Sequence, residues 1–184
     1  QQPSGYVHSL GFIDQARYFR CQLRRLGAQV TISKNRLRHD AVNLFFGAHL
    51  GFDPAQRARH ACIFVNLEQL GDGGAKVSPD YMQLLETSAV TDYDAGNVAA
   101  YASAPGAVPV VPLLHAPSSP LDPIALEERP IDLLFVGSVN ERRRAWIERI
   151  EPAARRLQFD GPLYAAERDG FIVQAKAVLN TPYY

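Results

Sequence analysis

Residues 137–144, Gly-Ser-Val-Asn-Glu-Arg-Arg-Arg, set a small polar turn directly ahead of three consecutive arginines. The run 131–136 before them, apolar apart from Asp132, reads as a buried strand, and the residues from Glu141 onward read as the first turns of a helix. A strand–turn–helix of this composition suits an anion. Glycine lets the backbone approach closely, and a helix N-terminus presents free N–H groups with partial positive charge. Gly137, Ser138 and Asn140 would line the turn, and Arg142 or Arg143 would reach the anion; Glu141 opposes an anion there. The same residues also admit a structural reading, with Asn140 capping the helix and the arginines forming a solvated face.

For taking a proton from a hydroxyl, His8 leads, because imidazole titrates near neutrality. The segment 5–7 ahead of it reads as a very short strand, which would put His8 at the carboxyl edge of a sheet, with Asp14 orienting it. A surface or capping histidine is the alternative. Glu68 is the second candidate. A carboxylate directly after an apolar strand is costly to bury alone, so it either faces a cleft or meets an arginine. Asn66 and Gln69 beside it suit hydrogen bonding to a hydroxylated ligand. Asp92, Tyr93 and Asn97 form a similar cluster after the next strand, although Asp92 or Asp94 reads best as a helix cap. Tyr164, Glu167 and Arg168 follow a later strand and would face the same cleft.

The elements carrying these residues alternate. Ile13, Ala16, Phe19, Leu23 and Leu26 recur at helical spacing and stop at Gly27. "AQVTIS" (28–33) reads as a strand, and "DAVNLFFGAHL" (40–50) as a strand buried on both faces. A short polar helix at "DPAQRARH" leads to the strand in "ACIFVNLEQL". Ser78 then caps a helix with Pro79 in its first turn. "AVTDYD" is a brief strand, "AGNVAAYAS" a helix and "AVPVVPLLH" a strand ending near His115. Residues 117–130 carry four prolines and read as a stiff linker. After it come a strand at 131–137, a helix at about 141–157, a strand near "LQFDGPLY", a helix at about 166–176 and a strand at "AVLNTPYY". Strand–helix alternation predicts an α/β fold with parallel sheets: a Rossmann-like domain over 1–116, then a partial second Rossmann-like unit over 131–184. Ligands on such sheets bind beyond the carboxyl ends of the strands, where His8, Ser9, His49, Asn66, Glu68 and His115 fall.

Composition narrows the function classes. Formal net charge is zero, with no basic patch interleaved with aromatics, which argues against nucleic acid as a partner. No apolar run reaches the length of a membrane span. The two cysteines, Cys21 and Cys62, sit in apolar patterns without a CxxC pair, so they read as buried thiols of a reducing, cytoplasmic compartment.

Four segments taken together carry a family resemblance: "FVNLEQL" (64–70), "VTDYDAGNVAAY" (90–101), "IDLLFVGSVNERRR" (131–144) and "AERDGFIVQAKAVLNTPYY" (166–184). In this order they resemble bacterial glycosyltransferases of the GT-B type, which have two Rossmann-like domains. The resemblance covers residues 60–184 well and the N-terminal third loosely. It departs at Thr91, where the relatives often carry Trp, and at "TPYY", where a histidine often precedes the tyrosines. What it implies is an acceptor held mainly by the first domain and a nucleotide-sugar donor held mainly by the second. Transfer would run without a metal or any cofactor, as in polysaccharide synthesis, with the donor as substrate and a glycan as acceptor. Relatives continue beyond the last segment, so the chain is expected to be truncated within the second domain. The alternative is a non-catalytic module derived from the same fold, binding nucleotide, glycan or another protein.

Overall fold

A computed structural model of the chain describes residues 7–112, 124–150, 155–161 and 163–181. The chain divides into two compact units, residues 1–116 and 117–183. It is mixed α/β, each unit being built on a small parallel sheet.

The first unit contains α1 (Ile13–Arg25), β1 (Asn43–Phe46), β2 (Cys62–Val65), α2 (Pro79–Glu86), β3 (Val90–Thr91) and α3 (Ala95–Tyr101). The strands lie in the order β1-β2-β3, with Phe45 opposite Phe64 and Val65 opposite Thr91. Asp92 continues β3 through a parallel bridge to Val110. β2 is central, and its Phe64 and Val65 are buried; edge strand β1 is only half-buried, not enclosed on both faces as its apolar run predicts. Phe64, Leu70, Tyr81, Leu84, Leu85, Val90, Val98 and Tyr101 form the core with Ala48. Burying each of the larger side chains contributes about 1.5–3 kcal/mol. Tyr81, Leu84 and Leu85 share one face of α2 because helical neighbours stand three and four residues apart.

The start of α2 follows the expected chemistry: the Ser78 side chain accepts from the Tyr81 N–H, and Pro79 occupies the first turn. Ser78→Ala is expected to lower stability by about 1 kcal/mol in urea unfolding. No change in the midpoint would mean that the cap contributes nothing.

Several expected elements differ. "AQVTIS" forms no strand; the Val30 carbonyl accepts from the Arg24 guanidinium at 2.9 Å, and Ile32 stays exposed, so the alternation has no core to face. The helix at "DPAQRARH" shrinks to a 3-10 turn, Pro54–Gln56, capped by Asp53. Val7 opens a 3-10 turn, Val7–Phe12, rather than ending a strand. Residues 5 and 6, His115 and the linker residues 117–123 lie outside the described residues.

The second unit contains β4 (Ile131–Val136), α4 (Glu141–Glu148), β5 (Arg156–Phe159), α5 (Ala165–Ile172) and β6 (Ala175–Leu179). Its strands are parallel in the order β5-β4-β6. Central β4 buries Leu134 and Phe135, α5 packs on β4 and β6, and Phe171 of α5 meets Phe159 of β5 at 4.6 Å. α4 is shorter than its pattern predicts. It stops at Glu148, ahead of Pro152, whose ring cannot continue helical hydrogen bonding. At the amino edge of the sheet, Asp132 accepts from Lys176 Nζ at 2.7 Å and from the Arg155 backbone at 3.0 Å. The Lys176 bond, joined by those from Arg155, holds this carboxyl well below the usual carboxylate range.

Candidate functional site

Parallel pairing brings the carboxyl ends of β1, β2 and β3 to one edge, and a buried polar network forms there. Asp92 leaves β3 and is almost fully buried. Its Oδ1 accepts from the Tyr93 N–H (2.7 Å), the Asp94 N–H (3.0 Å) and Asn97 Nδ2 (3.0 Å). Its Oδ2 accepts from Asn66 Nδ2 (2.8 Å) and the Tyr101 hydroxyl (3.1 Å). Asn66 leaves β2 and is equally enclosed. Its Nδ2 also donates to the Glu68 carbonyl, while its Oδ1 accepts from the Tyr81 hydroxyl (2.8 Å) and the Glu68 N–H (3.1 Å). Burial, reinforced by the nearby carboxylates, pushes the Tyr81 and Tyr101 hydroxyls well above the ordinary tyrosine range, so both remain donors. Asn97 Oδ1 accepts from the Leu70 N–H, closing the 66–70 loop onto α3.

This changes the role of Asn66. Each of its four hydrogen-bonding positions is used within the chain, which leaves none for a sugar hydroxyl. The cap of α3 is Asp94, which accepts from the Gly96 N–H; Asp92 instead organises the loops. Asp92-Tyr93-Asp94 has the Asp-x-Asp spacing of a metal-holding carboxylate pair, which the metal-free expectation passes over. Both carboxylates have these internal duties, and no cluster of three or more His, Cys, Asp or Glu suited to a metal occurs among the described residues.

Glu68 meets a histidine rather than the arginine that sequence considerations offered. Its Oε1 lies 3.3 Å from His49 Nδ1, and the two side chains keep 24% and 19% of their surface exposed. His49 sits in a 3-10 turn, Ala48–Leu50, directly after β1. Gly47, at φ 77°, makes that turn, and a Cβ there would come 2.8 Å from Phe12 Cε2. The Phe12 and Tyr81 rings stand edge-on to the imidazole, each at 5.8 Å. Partial burial lowers the His49 pKa below its ordinary 6.5, and the Glu68 charge opposes that shift. The folded ring therefore takes up a proton less readily than the unfolded one. Its contribution to stability is present above about pH 6.5 and is lost as pH falls through the lower folded value.

His8 lies in the 3-10 turn before α1, and its side chain is outside the described residues. Asp14 stands in the first turn of α1, with Oδ1 3.6 Å from Arg17 Nη1. Gln69 exposes its side chain, and its carbonyl accepts from the Ala75 N–H.

In the second unit, Gly137 takes φ 142° after β4, and Asn140 caps α4 by accepting from the Arg143 N–H at 2.9 Å. Arg143 bends back over the Phe135 ring. Its Nη1 donates to the Ser138 carbonyl (2.9 Å), and Nη2 and Nε donate to the Thr181 carbonyl (2.8 and 3.2 Å). The Val139 N–H donates to Asp160 Oδ1 at 2.9 Å, so a carboxylate already occupies one donor of the turn. Arg142 lies on the exposed side of α4. Tyr164 precedes α5, and Arg168 pairs with its neighbour Asp169 at 2.7 Å. Two groupings thus stand at strand ends, His49–Glu68 in the first unit and the 137–140 turn with Arg143 in the second. Comparison with protein-family models, curated proteins and solved structures returned no match for this chain.

Proposed function

We propose that the chain takes part in metal-independent transfer of a sugar from a nucleotide-sugar donor to a glycan-type acceptor, as part of a bacterial GT-B glycosyltransferase acting in the cytoplasm. The observation carrying this reading is that three of the four resembling segments reach the carboxyl edges of parallel sheets. "NLEQL" leaves β2, "DYDAGN" leaves β3 and "GSVNERRR" leaves β4. Ligands of open parallel sheets bind outside that edge. The order β5-β4-β6 adds a location, since the chain leaves β4 toward β5 on one side and arrives at β6 on the other. The crevice beyond β4 and β6 is where a doubly wound sheet takes up phosphates. A cytoplasmic setting agrees with the unpaired cysteines and with the absence, among the described residues, of a helix long and apolar enough to cross a membrane. Burial raises the Cys62 thiol above its ordinary pKa, which suits packing better than reactivity.

Calorimetric titration with UDP, GDP, UDP-glucose and GDP-mannose tests this function. At least one nucleotide is expected to bind, and Arg142→Ala is expected to weaken it about tenfold through loss of one charge-assisted contact. A second reading, a non-catalytic module for a glycan or protein, draws on Asp160 and Arg143, which bond the turn within the chain. It is the one to adopt if none of the four compounds binds.

A further inference from the structure

We propose that His49 and Glu68 form the proton-accepting pair of the first unit, with His49 Nε2 taking the proton of a hydroxyl-bearing acceptor and Glu68 orienting the ring through Nδ1. The class of acceptor rests on the glycosyl-transfer reading above; the basic character of the pair does not.

Glu68 contributes its backbone N–H and carbonyl to Asn66, so the fold uses its main chain and leaves the carboxylate for His49. His49 follows a strand end whose turn requires Gly47, and Phe12 and Tyr81 wall the ring. The Tyr81 hydroxyl belongs to Asn66, and Asp92 is enclosed by its own donors, so among the described residues Glu68 is the ionisable group that addresses the imidazole directly. A half-buried ion pair serves stability only if both partners stay charged. Here burial favours the neutral ring, which suits a base better than a salt bridge. The carboxylate oxygen 3.3 Å from Nδ1 favours a proton on that nitrogen, which would leave the lone pair on Nε2 for an acceptor.

The chemistry balances with two co-reactants, a hydroxyl acceptor and a nucleoside diphosphate sugar. The acceptor O–H proton moves to Nε2, and the oxygen's electron pair forms the new C–O bond at the anomeric carbon. The bond from that carbon to the diphosphate oxygen breaks, and its electron pair leaves with the diphosphate. The imidazolium then releases its proton to water. His49 would be a catalytic residue and Glu68 a positioning one.

Two measurements on the full chain test this inference. The first is acylation by diethyl pyrocarbonate, mapped by mass spectrometry over pH 5–7.5. His49 is expected to react, with a rate that follows the neutral ring, and Glu68→Gln is expected to move that dependence to lower pH and to slow the fully neutral ring at pH 7.5 about threefold by removing the orienting charge. A wild-type His49 that stays unmodified while His39 and His60 react would overturn the proposal. The second is turnover of the UDP- and GDP-sugars. His49→Gln is expected to reduce kcat/KM about a hundredfold and abolish the acid limb of the pH profile. Glu68→Gln, whose backbone bonds to Asn66 persist, is expected to lower kcat with little change in KM and to move that limb to lower pH. Full activity with an unchanged profile in His49→Gln would also overturn the proposal. If the wild type neither binds nor turns over any of these donors, the glycosyl-transfer reading fails by itself, and the acylation map still decides the pair.

Discussion

Asp92→Ala is expected to destabilise the first unit by about 3–5 kcal/mol, the loss typical when one partner of a buried charged network is removed. Five donors converge on this carboxylate, from Tyr93, Asp94, Asn97, Asn66 and Tyr101. Alanine leaves all five facing a void, and each unsatisfied buried group costs about 1–3 kcal/mol before the loops rearrange. Asp92→Asn separates shape from polarity. The amide keeps the volume, but its NH2 must face at least one existing donor, so this variant is also expected to lose roughly 2 kcal/mol or more. Chemical denaturation followed by circular dichroism measures both. A shift under about 1 kcal/mol for alanine would mean that the network is not closed as described. Hydrogen exchange should locate the damage in the 66–70 and 92–97 loops, whose backbone N–H groups at Glu68, Leu70, Tyr93 and Asp94 depend on these side chains.

Much of the scaffold could be read from residue order, because its signals are local. Ser78 with Pro79 announces α2, Gly137 to Asn140 announces the turn into α4, and the apolar runs 62–65 and 131–136 become strands. "AQVTIS" shows the limit. It alternates like a strand, yet β1 remains an edge and Val30 is held by Arg24 instead. The site was less legible because its pairs form across the sheet. His49 and Glu68 follow different strands and meet only through the parallel register of β1 on β2. The sequence offered Glu68 a cleft or an arginine, and the register brings it a histidine instead. Asp92 beside Asp94 looks like two equivalent helix caps in sequence. Only the bridge to Val110, which carries β3 one residue further, turns Asp92 inward while Asp94 remains at the helix start. Arg143 likewise looks like one of three equal cations, although only its position three residues after the Asn140 cap aims it back over the turn.

That difference among the arginines gives the second large effect. Arg143→Ala is expected to cost the second unit about 2–3 kcal/mol, because hydrogen bonds from a charged donor carry more than neutral ones. The loss should fall on the two carbonyls that Arg143 joins, Ser138 beyond β4 and Thr181 beyond β6. Arg143→Lys retains a cation near Phe135 but cannot span both carbonyls with a planar fork, so it should recover less than half of the loss. Arg142→Ala, on the exposed side of α4, should change stability by no more than about 0.5 kcal/mol while weakening nucleotide binding. The pair of variants thereby separates two duties that a run of arginines conflates. Arg143 fastens the turn after β4 to the end of β6, while Arg142 stays on the exposed side of α4. The assignment would be reversed if Arg143→Ala unfolded at the wild-type denaturant concentration yet lost nucleotide binding. In that case the guanidinium would have to leave Ser138 and Thr181 for the ligand, and the turn would be held by Asn140 and Asp160 alone.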